Sequence, residues 1–272
     1  MKLLSVDWDF FFKTPWRMKA GERKDQHLDL YDWGHRDNAF FAEFLWPTRA
    51  GGFVRNGLPL PGTSGEEVGF WDRFRFAPRT KLYLADSHSL AIHPRVAGRS
   101  PQRYVAAHVW NYDAHHDCGY HKGQAKEAAE QGRYACDDWM VGYHALAGEL
   151  HVRYPRWATA GIEAEPKPEI AVDRRFDDGD TPRDGADRPV VFDTIFLCRS
   201  ASWAPPWIDP QFKTLLDTCP VPNSRRVVLQ DDIPGGWPCR EWDEEALKAG
   251  WEAERVAIEE ARASLAERKA VR

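Results

Sequence analysis

Apolar and polar positions along the chain fall into short alternating runs and longer periodic ones. Lys2 to Phe12 alternates and is rich in β-forming residues, which predicts a strand. Lys81 to Ala85, Tyr104 to Tyr112, Val190 to Leu197 and Arg226 to Gln230 predict further strands. Tyr104 to Tyr112 is mostly apolar, the pattern of a strand covered on both faces. Helical patterns lie around Asn38 to Leu45, over Gln124 to Gln131 and over Trp139 to Arg153. Trp46 to Gly69, rich in Gly and Pro, predicts a loop. Glu163 to Pro189, dense in Asp, Gly and Pro, predicts a long excursion or flap. In the tail, Glu241 to Arg272, the residues Leu247, Trp251, Ile258, Ala261 and Leu265 recur on one face of a 3.6-residue period. That tail is expected to be an amphipathic helix docked on its own domain.

Strands alternating with helices predict an α/β architecture with a largely parallel sheet, built as a single domain over residues 1–272. In such sheets ligands bind beyond the carboxyl ends of the strands. Chemistry is therefore expected just after each strand.

Composition removes several function classes. With 43% hydrophobic and 29% charged residues, the chain is of ordinary globular type and needs no disulfide staples. A formal net charge of −5 offers no general attraction for nucleic acid or acidic lipid. The most apolar stretch, Val190 to Cys198, is interrupted by Asp193 and is too short to span a bilayer. No signal-peptide pattern opens the chain, so the expected setting is cytoplasmic, without membrane or nucleic-acid partners. The five cysteines form no C-x-x-C pair, and their odd number suits a reducing compartment. Cys118 reads as a small packing residue. Thirteen tryptophans, among them Trp203, Trp207, Trp237 and Trp242 in Pro-rich stretches, allow two readings. The rings pin long loops to the body, or they line an aromatic groove for an extended substrate.

Three predicted strand ends carry acids or histidines. In Ser5-Val6-Asp7-Trp8-Asp9-Phe10-Phe11, strand alternation turns Asp7 and Asp9 to one side and Trp8 to the other. Two carboxylates so close need a cation, a proton or an exit to solvent. In Asn111-Tyr112-Asp113-Ala114-His115-His116-Asp117, the same alternation brings Asp113, His115 and Asp117 together and sends His116 away. Carboxylate oxygens with imidazole nitrogen suit Mn, Fe or Zn better than Ca, and the lack of thiolate weakens the case for structural Zn. The third strand end, Leu84-Ala85-Asp86-Ser87-His88-Ser89-Leu90-Ala91, supplies His88 as an additional nitrogen ligand.

These segments resemble a known family. Asp113-Ala114-His115-His116-Asp117 resembles the Asp-Ala-His-x-Asp motif of arginases and agmatinases. His88-Ser89-Leu90-Ala91 is similar to the end of their Gly-Gly-Asp-His-Ser-Leu-Ala segment, and Ser5-Val6-Asp7-Trp8-Asp9 to their Ser-x-Asp-x-Asp segment. In ordinary arginases that last segment lies near the C-terminus, whereas here it comes first, a circular permutation of the motifs. The permuted order, the Asp-Phe-Phe ending, and Phe196-Leu197-Cys198-Arg199-Ser200 followed by Trp203 and Pro205 are most similar to a divergent arginase-like family. That family includes the peptide arginases, which convert arginine side chains to ornithine in ribosomally made peptides.

The resemblance implies an arginase-like three-layer α/β/α fold with a mostly parallel central sheet, and two Mn2+ ions held by Asp7, Asp9, His88, Asp113, His115 and Asp117. Asp113 and Asp7 would bridge the ions, His88 and Asp117 complete one site, and His115 and Asp9 the other. It also implies that Asp117 is catalytic, passing a proton to the departing amine, and that an arginine-containing peptide is the substrate. No run after Asp117 matches the residues with which arginases hold free arginine, and a peptide lacks those free groups. Asp138, Asp32 and Glu43 are candidates for the acid that holds the guanidinium, with Asp138 taken as the substrate-binding residue. His121 and His144 are candidates for a proton shuttle. Three other functions fit the same ligands: a ureohydrolase of a small free guanidine such as arginine or agmatine, a deacetylase-like amide hydrolase with one metal, and a metal-binding module without activity.

Overall fold

A computed structural model of the chain describes residues 1–13, 45–97, 108–146, 148–158, 167–230 and 237–270. Its strands are β1 (Lys2–Asp7), β2 (Arg75–Ala85), β3 (His108–Tyr112), β4 (Leu150–Tyr154), β5 (Asp173–Phe176), β6 (Val191–Cys198) and β7 (Arg226–Val228). All seven join one sheet in the order β5-β4-β3-β1-β6-β2-β7, and every pairing is parallel.

Alternation along the strands divides the core in two. Leu4, Val6, Leu82, Leu84, Trp110, Tyr112, Phe192 and Leu197 face one side, under α1 (Trp46–Arg55) and, from later in the chain, a helix over Asp209–Thr218. Leu3, Tyr83, Val109, Val152, Phe196 and Cys198 face the other, against Trp139, Met140 and Tyr143 of the helix Trp139–His144. In chain order the remaining helices are α2 (Pro94–Ala97), α3 (Gln124–Gln131), α4 (Trp139–His144), α5 (Asp209–Thr218) and α6 (Glu244–Ala270). The result is a three-layer α/β arrangement around a parallel sheet, as the sequence predicts. Chain order places the site. From central β1 the chain goes to β2 on one side and returns to β3 on the other, so the order reverses at the carboxyl ends of β1 and β3, where parallel sheets generally bind ligands.

Several predicted elements need correction. Trp46 to Gly69 is not all loop, because α1 occupies its first part with Pro47 in the first turn, where a missing N–H costs nothing. Trp139 to Arg153 is not one helix; α4 ends at His144, and Leu150–Tyr154 is strand β4. Within Glu163 to Pro189, Asp173–Phe176 forms edge strand β5. The Asn38 to Leu45 helix lies, except for its last residue, outside the described residues. Tail helix α6 docks on α1 through Trp251, whose ring fills the space a side chain at Gly51 would need: an added Cβ would lie 2.3 Å from Trp251 Cζ2. Arg55 lies over the same ring, 4.1 Å from its centroid. Val256 and Ile258 on this helix remain exposed, so the docked stretch is shorter than predicted. Among the described residues no helix is long and apolar enough to cross a membrane.

Among the described residues, most of the tryptophans follow the packing reading. Trp46, Trp71, Trp157 and Trp207 each donate an indole hydrogen bond to a backbone carbonyl on a distant segment, namely Ala201, Leu215, Phe10 and Pro61. Trp242 and Trp237 pack against Trp207 and Phe212.

Candidate metal centre

The register of the sheet brings the first two acids together. Val6 pairs with Tyr112 across β1 and β3, so Asp7 and Asp113 leave the sheet side by side. Asp9 arrives by a route that strand alternation does not predict. Strand β1 stops at Asp7, which caps a 3-10 turn over Trp8–Phe11, its Oδ1 accepting the Asp9 amide at 3.0 Å. The turn carries Asp9 back toward β3, where its Oδ1 accepts the Ala114 amide at 3.3 Å. The run after β3 also departs from extended geometry, and Asp117 has a left-handed backbone with φ 49°. His88 opens a second 3-10 turn, capped by Ser87.

All six predicted ligands are buried and meet at one place. Among the described residues, two triads have one donor atom each within 4.8 Å of one another: Asp7, His88 and Asp113, and Asp9, Asp113 and His115. Asp113 belongs to both, and its two oxygens divide between them. Oδ2 lies 3.2 Å from His88 Nδ1, and Oδ1 lies 3.4 Å from His115 Nδ1. His88 Nδ1 also lies 2.9 Å from Asp7 Oδ2 and 3.1 Å from Asp117 Oδ2. His115 Nδ1 lies 2.8 Å from Asp9 Oδ2. Asp117 thus falls on the His88 side and Asp9 on the His115 side, the partition that the resemblance implies. Asp113 has the geometry of a shared ligand, while Asp7 Oδ2 lies on the His88 side.

The surroundings of the ligands fit a cation pair. His88 Nε2 is 2.7 Å from Ser5 Oγ; a proton on Nε2 donated to that hydroxyl leaves the Nδ1 lone pair directed at three carboxylates. Nδ1 is buried and faces these three carboxylates without an aligned hydrogen bond to any of them. Asn111 donates to Asp113 Oδ2 at 3.0 Å, and Trp139 Nε1 donates to Asp117 Oδ2 at 2.6 Å. The donor set is four carboxylates and two imidazoles without thiolate, the chemistry of Mn, Fe or Zn.

Without a cation the cluster holds protons. Burial, then the charges of Asp7 and Asp113, push Asp9 up to about 8. Burial and the Asp113 charge raise Asp117 as well. Burial works to lower His88 and His115, but the carboxylates around them prevail and hold both well above the usual imidazole value. Asp113 goes the opposite way: burial raises it, yet its contacts with His115 and His88 outweigh burial and keep it below the ordinary carboxylate range.

The other candidates stand apart. Asp138 precedes α4, its Oδ1 accepting the Ala135 amide at 2.7 Å and its Oδ2 accepting from Gln124 at 3.2 Å. Both oxygens therefore stabilise a loop, and these contacts give no support to a role in holding substrate. His121 and His144 are exposed, the latter at the end of α4. Asp32 and Glu43 lie outside the described residues. His116 does turn away from the ligands, stacking on Tyr120 at 4.2 Å while its Nδ1 accepts the Cys118 amide.

Sequence reasoning passed over the groups that hold the candidate ligands: Ser5, Asn111, Trp139, and Ser200, whose Oγ is 2.5 Å from Asp7 Oδ2. Ser5 and Asn111 stand two residues before Asp7 and Asp113 on the same faces of β1 and β3, a signal that alternation carries. Comparison with protein-family models, with curated proteins and with solved structures finds no significant match in any of the three.

Proposed function

We propose that this centre holds two manganese ions and hydrolyses guanidinium groups, acting as a peptide arginase that converts peptidyl arginine to ornithine with release of urea. The observation that carries the reading is the pair of buried triads sharing Asp113, one oxygen toward each histidine. His88, Asp117, Asp7 and Asp113 would hold one ion, and His115, Asp9 and Asp113 the other. A bound pair supplies Lewis acidity and makes water reactive near neutral pH.

The chain's own residues then handle position and protons. Asp117, oriented by Trp139, suits a group that takes a proton from attacking water and gives it to the departing nitrogen. In the balanced reaction, water oxygen bonds to the guanidinium carbon and the bond from that carbon to the side-chain nitrogen breaks. That nitrogen gains the proton and stays on the peptide as the ornithine amine; urea leaves. The choice of a peptide over free arginine is supported by the permuted motif order and by the missing contacts for free amino and carboxyl groups.

The test is mass spectrometry of an N-acetylated, C-amidated arginine peptide after incubation with manganese-loaded protein. A loss equal to urea minus water is expected. The parallel measurement is kcat/KM for the peptide, for free arginine and for agmatine. Free arginine ahead by more than about tenfold, roughly 1.4 kcal/mol of transition-state discrimination, would replace the peptide reading with a small-guanidine ureohydrolase. Deacylation of an acyl-lysine peptide without urea release would replace both.

A further inference from the structure

Among the described residues, three that are not glycine have positive φ: Asp117, Asp187 and Ser200. Asp117 is in the centre, and Ser200, with φ 51°, touches it: its Oγ is 2.5 Å from Asp7 Oδ2. Left-handed backbone is strained for a side chain that Cβ crowds and costs glycine almost nothing. A serine kept there, where glycine would relax the chain, needs a use for its hydroxyl. Strain of this kind persists only where the surroundings over-determine it.

The surroundings do so here. Ser200 lies just beyond β6 in a tight turn, its carbonyl accepting the amides of Trp203 and Ala204 at 2.8 and 2.7 Å. Buried charges clamp the turn. Arg199 donates to both oxygens of Asp86, which also accepts the Ala201 amide. From the far end of the chain, Arg240 donates twice to Asp209 and reaches the carbonyls of Ala201 and Ala204 at 2.8 and 2.7 Å. Trp46 Nε1 holds the Ala201 carbonyl as well. Trp203, on the same turn, lies against the His115 ring with centroids 5.4 Å apart. One turn thus meets both halves of the centre, and its clamp draws on the residue after β2, on α5 and on the segment before α6.

We infer that Ser200 is a positioning residue for the metal centre. Its hydroxyl donates to Asp7 Oδ2 and aims that carboxylate at the His88 side, and the buried ion pairs exist in part to hold the strained turn that delivers it. This inference rests on the proposed metal centre. Groups that orient metal ligands typically change metal affinity about 10–100-fold when removed.

Positioning and structure separate when metal affinity and stability are read independently, with glycine and alanine differing only in the strain they relieve. Thermal unfolding of metal-free protein and manganese titration followed by paramagnetic resonance are measured for wild type, Ser200→Gly and Ser200→Ala. Ser200→Gly relieves the left-handed strain but loses the hydrogen bond to buried Asp7, so it is expected to unfold at or above the temperature of Ser200→Ala, yet to bind manganese at least about tenfold more weakly than wild type. Ser200→Ala, which keeps the strain and loses the hydroxyl, is expected to show the same affinity loss. Wild-type affinity in Ser200→Gly would overturn the role of Ser200 and leave the centre intact. Affinity lost only in proportion to a lowered unfolding temperature would make Ser200 merely structural. Wild-type protein that takes up no manganese would overturn the centre, and this inference with it.

Discussion

Trp139 Nε1 donates to Asp117 Oδ2 at 2.6 Å, while the next amide along, that of Met140, donates to the Asp117 carbonyl at 3.1 Å. The start of α4 therefore fixes both the side chain and the left-handed backbone of the residue proposed to move the proton. Trp139→Phe keeps an aromatic ring beside His88, from which Trp139 lies 4.7 Å, and removes the donor. Urea release is expected to fall about 10–100-fold in folded protein, the usual effect of losing a partner that orients a metal ligand. A variant with unchanged turnover would remove that bond from the account of Asp117.

Adjacent histidines give a second prediction. His115 Nδ1 faces Asp9 and Asp113, whereas His116 is buried against Tyr120 with its Nδ1 accepting the Cys118 amide. His115→Ala is expected to abolish turnover and weaken one of two manganese sites. His116→Ala is expected to keep the metal content of wild type while lowering stability by about 1–3 kcal/mol, the cost of unpairing a buried amide. Equal metal loss in both would mean that the Asp113 to Asp117 segment is placed wrongly. Metal analysis of the two purified variants decides it.

The motifs made the candidate ligands legible because each of these side chains lies within a short run and the sheet only has to bring three runs together. What the sequence could not give was the path of the backbone. Asp7 and Asp9 meet through a capped 3-10 turn, not through two more residues of strand, and a polar pair reads the same either way. Strand β4, Leu150–Tyr154, alternates cleanly, but it follows α4 so closely that the two read as one helical stretch. Strand β5, Asp-Arg-Arg-Phe at a sheet edge, carries almost no hydrophobic signal. Helix α1 contains Pro47, Gly51 and Gly52, which read as breakers; Pro47 is tolerated in the first turn, and Gly51 is the space into which Trp251 fits. Ser200 acquires its meaning only across 193 residues, from Asp7.

Protons held by the cluster predict how stability follows pH. Asp9 is raised from 3.8 to about 8, Asp117 is raised as well, and both histidines lie well above 6.5. Metal-free folded protein therefore binds more protons than the unfolded chain over that interval. The contribution of these groups is full below their ordinary values and is lost as pH rises through the folded ones. Asp113, shifted downward, acts only at lower pH, where its contribution fades as pH falls. The thermal midpoint of metal-free protein is expected to drop between about pH 5 and about pH 8. Manganese, if bound as proposed, would displace those protons and is expected to raise the midpoint more at about pH 8 than at about pH 6. Calorimetric scans with and without the metal check both, and a midpoint that climbs across this range in metal-free protein would contradict the charge assignment.

Two triads joined by Asp113 are proposed to hold two ions, and those ions can be counted. Elemental analysis of folded protein loaded with manganese and freed of excess metal should give about two ions per chain, as a two-metal site requires. A value near one in fully loaded protein would contradict the account and favour a single-metal amide hydrolase.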